Sequence, residues 1–208
     1  YGGVDRSQSG PTVAQTWHMP KHRALPDRSK RPLGAAKLDE LALAYVARFA
    51  TSRAKLTRYL SRKVRESEWM DESDAMTACE AIANRMEQLR YLDDRQYAAM
   101  RAGAMTRRGL GVRRVKAQLY VDGIAEQDSG EAIEAAEGAA VAAAVGFARR
   151  RRFGPFAVRT SDDPKLRERQ IAAFLRAGHS MTIARRILAV PPGDEAALAA
   201  LDDEAGLD

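Results

Sequence analysis

Cysteine is almost absent from this chain of 208 residues. The single Cys79 excludes an internal disulfide and any multi-cysteine zinc site, and a reducing cytosol is the simplest compartment for it. Aromatic residues are scarce as well, at 6%. A core must therefore come mainly from Ala, Leu, Ile, Val and Met, within a hydrophobic fraction of 45%. Together with abundant Arg, Lys and Glu these residues lose little on entering a helix, so the composition favours one. Long apolar runs are missing. The longest, AAVAAAVGFA at 139–148, is too short to cross a bilayer and runs straight into four arginines. The N-terminal stretch lacks the apolar segment of a secretory signal. No membrane association is expected, and the cytoplasm is the expected location.

The residues of catalysis are equally thin. His18, His22 and His179 lie too far apart for a helical metal pair. No HExxH, no glycine-rich phosphate loop and no GxSxG occurs. The Gly-Leu-Gly of 109–111 lacks the preceding strand and third glycine of a dinucleotide site, and reads as a helix break. Cys79 sits on an apolar helical face, the setting of a structural thiol rather than a nucleophile. No catalytic residue, metal site or cofactor is expected, and the chain reads as a non-enzyme.

What is present is positive charge, unevenly spread. The net charge is +6. Residues 1–37 hold seven Lys/Arg against two Asp/Glu, whereas 191–208 hold six acids and no base. Without that acidic tail, 34 bases face 22 acids, a body of +12. A basic body with an acidic tail points to nucleic acid or an acidic protein surface as partner. The tail is expected to compete for the basic surface.

Periodicity divides the chain. Residues 1–37, with Pro11, Pro20, Pro26 and Pro32 among polar and basic residues, carry no helical or strand period and read as a disordered basic arm, TWHMPKH included. From Leu38 onward apolar residues recur every three or four positions, and no strand is apparent. Ser52 suits the N-cap of a helix bearing Leu56, Leu60 and Val64; Asp163 precedes Pro164; Ser180 precedes a last helix. In YLDDRQYA (91–98), Asp93 with Gln96 three residues later has the pattern of a capping box. This acidic pair is better explained by a helix start than by a metal or acid–base site.

An internal repeat accompanies these helices. AQLYVDGIAEQDSGEAI at 117–133 and AAFLRAGHSMTIARRIL at 172–188 match at a shift of 55 residues. Each reads helix, glycine, short turn, helix, with Gly123 and Gly178 in corresponding places. The segment 52–89 has the same order with a longer connection. The expected fold is all-α, in tandem helical repeats. Its divisions are a disordered arm 1–37, repeats over 38–92, 93–160 and a shorter 161–190, and an acidic tail 191–208.

Two basic clusters stand out as binding residues. Arg101, Arg107, Arg108, Arg113, Arg114 and Lys116 fall in a stretch without a single acid, and Arg149, Arg150, Arg151 and Arg152 are consecutive. The planar guanidinium can donate two hydrogen bonds at once to a phosphate. Arg113 and Arg114 point away from the Val112–Val115–Leu119 face and should reach solvent. No aromatic residue interleaves the cluster, so base stacking is not expected there.

SRAKLTRYLSRK (52–63), YLDDRQYA (91–98) with RRGLGVRRVKAQLYVDGI (107–124), and FLRAGHSMTIARRIL (174–188) resemble the RecX family of bacterial regulatory proteins. The resemblance spans roughly residues 38–190. It implies three tandem three-helix units in a curved array, no catalytic site, and binding in the groove of the RecA–DNA filament that restrains recombinase and ATPase activity in DNA repair, recombination and the SOS response. Its implied partners are RecA and single- or double-stranded DNA, with the chain a monomer. Residues 1–37 and 191–208 fall outside the resemblance. His179 departs from it, standing where a bulky apolar residue is common, as does the long connection around Trp69. Two rival readings remain: a stand-alone DNA-binding module with helix pairs at 93–108 and 111–122, for which Gln118 is the obvious base-reading candidate, and a helical protein–protein adaptor.

Overall fold

The computed structural model describes residues 30–159 and 163–205. Among these, ten α-helices account for nearly all regular structure. They are α1 Ala35–Arg48, α2 Arg53–Arg65, α3 Ala75–Gln88, α4 Asp94–Arg107, α5 Val112–Asp122, α6 Glu126–Gly138, α7 Ala140–Arg151, α8 Pro164–Ala177, α9 Met181–Ala189 and α10 Glu195–Ala205, with a 3₁₀ turn at Gly154–Phe156. None is long and apolar enough to cross a membrane. The expected caps form. Ser52 Oγ accepts from Lys55 N at 3.2 Å, Asp93 Oδ1 from Gln96 N at 2.8 Å, Asp163 Oδ1 from Lys165 N at 2.9 Å and Ser180 Oγ from Ile183 N at 3.1 Å. Each oxygen satisfies a backbone N–H that the first turn leaves free.

Part of the expected arm is ordered. Residues 1–29, including His18, His22 and TWHMPKH, lie outside the described residues. Beyond them, β1 (Pro32–Leu33) pairs in parallel with β2 (Glu68–Trp69), where no strand was expected. The ladder uses the carbonyls of Arg31 and Leu33 as acceptors for Glu68 N and Met70 N, at 3.0 and 3.1 Å. Pro32 therefore needs no N–H, and Leu33 is buried. The long connection around Trp69 is pinned locally: Trp69 Nε1 donates to Ser73 O at 2.7 Å, and Asp71 Oδ2 accepts from Ala35 N at 2.5 Å. A two-residue pairing between segments so far apart leaves no periodic trace in either.

The buried side chains form three clusters. Leu38, Leu56, Leu60, Cys79, Ile82 and Met86 join α1–α3. Tyr97, Met105, Val115, Leu119 and Ala132 join α4–α6. Ala144, Ala148, Phe174, Ala184 and Ile187 join α7–α9. Each cluster is thus a three-helix unit. Ala144, Phe147, Ala148, Phe153 and Phe156 pack in the third cluster, whereas the sequence boundary after 160 places them in the second repeat. The Ala-rich stretch breaks at Ala139, and the two helices it yields serve different cores. The tail beginning at Pro191 contains α10, whose Leu201 packs against Val141, Ile183 and Ile187. α7 packs on α4 and α6 of the unit before it, and α10 packs on α7 and α9 in the same way.

Neighbouring units meet through their glycine turns. Gly123, at φ +77°, lies against Ala54 in the first turn of α2; Gly178, at φ +95°, lies against the backbone of Gly111 and Arg114 in the first turn of α5. Both glycines take the left-handed conformation that L residues avoid, and neither leaves room for a side chain. The sequence repeat is thus an interface repeat.

Candidate nucleic-acid and protein interface

The predicted basic cluster sits at the junction of the second and third units. The α4–α5 turn holds Arg107 and Arg108, both exposed, before Gly109 at φ +71°. This turn is bolted to the third unit by its backbone. Gly111 N donates to Ala177 O at 2.9 Å and Arg113 N to Gly178 O at 3.2 Å. Arg150 of α7 donates Nη2 to Arg108 O. Two of α5's N-terminal N–H groups are thereby occupied by protein carbonyls. An anion meeting this helix end finds guanidinium side chains and few free backbone donors.

His179 closes the junction. It is 2% exposed, lies between Phe147 and Phe174, and its Nε2 is 3.1 Å from Gly109 O. A carbonyl can only accept, so Nε2 carries the proton; Nδ1 has no partner among the described residues. Burial holds the imidazole below its ordinary pKa, partly opposed by the Gly109 hydrogen bond. Cys79 is likewise buried, and desolvation pushes its thiol up, as suits a structural cysteine.

The ten predicted residues divide into groups. Arg107, Arg108, Arg113 and Arg114 are exposed, with no acidic partner among the described residues. Lys116 is exposed but pairs with Glu137 at 2.8 Å. Arg149 lies over Phe156 and Arg151 over Phe153, at 5.1 and 5.8 Å, while Arg152 is the left-handed cap of α7. Arg150 is spent on the Arg108 carbonyl. Arg101 points elsewhere: its Nε is 3.4 Å from Asp122 Oδ2, at the junction of the first and second units.

That junction holds residues the sequence did not single out. Asp122 is 4% exposed and accepts from Tyr97 Oη at 2.8 Å and Gln118 Nε2 at 3.0 Å, with Lys55 Nζ at 3.9 Å. Ser52 Oγ donates to Asp122 O at 2.6 Å. Asp94 Oδ1 accepts from Arg53 N at 2.8 Å, so the Asp-Asp pair caps two helices, its own and the first turn of α2. Burial raises the Asp94 pKa, and the Arg53 N–H opposes this. α2 itself is a second basic segment, with Arg53, Lys55, Arg58, Arg62, Lys63 and Arg65 and no acid. That acid-free run was the available signal. Beside it, Phe49, Tyr45 and Tyr59 form a row at 5.3 and 4.3 Å between centroids, with Arg48, Arg62 and Lys63 over the rings.

The molecule is thus a stack of three-helix units with unpaired arginines exposed at the junction of the second and third. Among the described residues no group of His, Cys, Asp and Glu is arranged to hold a metal. No family model matches the chain. It is 28% identical to regulatory protein RecX of Myxococcus xanthus over 182 residues, 82% of this chain and 97% of that one. To regulatory protein RecX of Agrobacterium fabrum it is 32% identical over 102 residues, 49% of this chain and 54% of that one. A crystal structure of regulatory protein RecX shares the fold, with a TM-score of 0.54 and 19% identity, covering 74% of this chain and 70% of that one. In sequence and in fold, then, the chain is similar to proteins named regulatory protein RecX.

Proposed function

We propose that this protein regulates RecA recombinase by binding the RecA–DNA filament and restraining strand exchange and ATP hydrolysis, as a cytoplasmic monomer without catalytic chemistry of its own. The observation that carries this reading is the group Arg107, Arg108, Arg113 and Arg114. These are exposed cations without acidic partners, held in register by backbone bonds between two units, in a chain whose relatives are named regulatory protein RecX. Such a group meets phosphates or acidic side chains without disturbing the core below it. The stand-alone DNA reader is disfavoured because Gln118, its base-reading candidate, is half-buried and bonded to Asp122.

The decisive experiment compares filament binding and inhibition for wild type and Arg113→Glu/Arg114→Glu. Both side chains face solvent while Val115 and Leu119 fill the core, so the variant should keep its helicity and melting temperature. Weaker filament binding and relieved inhibition, lost together, are the expected outcome. If the variant restrains RecA as well as wild type, the site assignment fails. If wild type ignores the filament, the function itself fails.

A further inference from the structure

The outer face of α5 carries more than arginines. Tyr120 is 84% exposed, the most exposed aromatic side chain among the described residues, and Val121 beside it is 59% exposed. Tyr120 follows Arg113 by seven positions and Lys116 by four, so the three share one helical face about 10.5 Å long. Arg58 of α2 reaches the far end of that face, donating Nη1 to Val121 O at 2.9 Å and Nε to Ala54 O at 3.3 Å, which fixes the guanidinium and leaves three of its five N–H groups for a ligand. Behind Arg58, Arg62 and Arg65 follow at helical spacing and are exposed. Glu66 offsets part of that charge, with Oε1 3.8 Å from Arg62 Nε. Arg58 and Arg65 have no acidic partner among the described residues. Glu137 likewise offsets Lys116.

A ring this exposed contributes little to the fold. It lies between cations of two helices, which is the arrangement that single-stranded nucleic acid requires: phosphates on guanidinium groups, and an unpaired base flat on an aromatic face. A duplex keeps its bases stacked inside and would gain nothing from the ring. An acidic peptide would use the charges alone. We infer that the α2–α5 face is a docking site for single-stranded nucleic acid, with Tyr120 stacking one base between phosphates held by Arg113 and Arg58.

This deepens the nucleic-acid half of the proposed function, and a bare strand tests it without RecA. Binding of labelled oligo(dT) to the full chain is measured by anisotropy over a salt series. Tyr120→Ala should weaken binding roughly tenfold, since stacking one base accounts for about that much. The salt slope should not change, because stacking releases no counterions. Tyr120→Phe should bind as wild type does. Arg58→Gln should lower the slope by about 0.7, one phosphate contact on a single strand. The inference is overturned if Tyr120→Ala binds like wild type, if Tyr120→Phe is as weak as Tyr120→Ala, or if duplex binding falls equally in Tyr120→Ala. Loss of filament binding with these oligo(dT) results intact would instead overturn the RecA reading alone.

Discussion

Asp122→Ala should unlock the first unit from the second. The carboxylate is buried and takes hydrogen bonds from Tyr97 and Gln118, with Arg101 and Lys55 completing its surroundings. Removing one partner from a buried charged group costs about 3–5 kcal/mol. Lys55 and Arg101 keep 32% and 36% side-chain exposure, so water relieves much of the stranded charge. Arg101 Nε is itself shielded and has no hydrogen-bond partner among the described residues. The loss should therefore fall at the lower end, about 3 kcal/mol. In a chain of this size each kcal/mol moves the melting temperature by about 2–4 °C, which gives a fall of roughly 6–12 °C by calorimetry. Asp122→Asn keeps an acceptor for Tyr97 and should lose only about 1–2 kcal/mol. Glu134→Ala, an exposed change on α6, should stay within about 0.5 kcal/mol. Hydrogen exchange should accelerate first in α2 and α5, on either side of Asp122. An Asp122→Ala melting temperature within about 2 °C of wild type would refute the reasoning.

The two glycine substitutions should have opposite signs. Gly178→Ala meets φ +95° and puts its Cβ 2.5 Å from Arg114 N, so a loss of roughly 2 kcal/mol or more is expected in urea titration. Gly130→Ala, in an open position of α6, should gain about 0.5–1 kcal/mol. His179 should make stability pH-dependent. Its folded pKa lies below the unfolded value of about 6.5, so its contribution is complete above that pH and declines as pH falls through it. His179→Phe should flatten the urea midpoint between about pH 7 and pH 5, and an unchanged slope would exclude His179 as the source. Deleting residues 191–208 removes six acids and α10. DNA affinity should rise mainly at low salt, and exposure of Val141, Ile183 and Ile187 should raise binding of an apolar dye. Unchanged affinity would leave the tail as a cap only.

Much of the architecture was legible locally. Caps at Ser52, Asp93, Asp163 and Ser180, and turns at Gly123 and Gly178, follow from side chains reaching a few residues along their own chain. The 55-residue repeat and the helical periods follow from the same short-range rules, and so does the family resemblance they support. Distant pairing decided the rest. Leu33 is buried because β2 supplies partners far along the chain, and Asp94 reaches across to the first turn of α2. Arg101 and Arg113 look alike in an acid-free run, yet one turns to buried Asp122 and the other to solvent. Tyr120, in a segment where no aromatic interleaving is expected, has a cation of a second helix near it only because Arg58 docks on the adjacent Val121 carbonyl. Helical periodicity tells which face of a helix is buried. What each charge meets depends on the unit stacked against it, and that contact is recorded only in three dimensions.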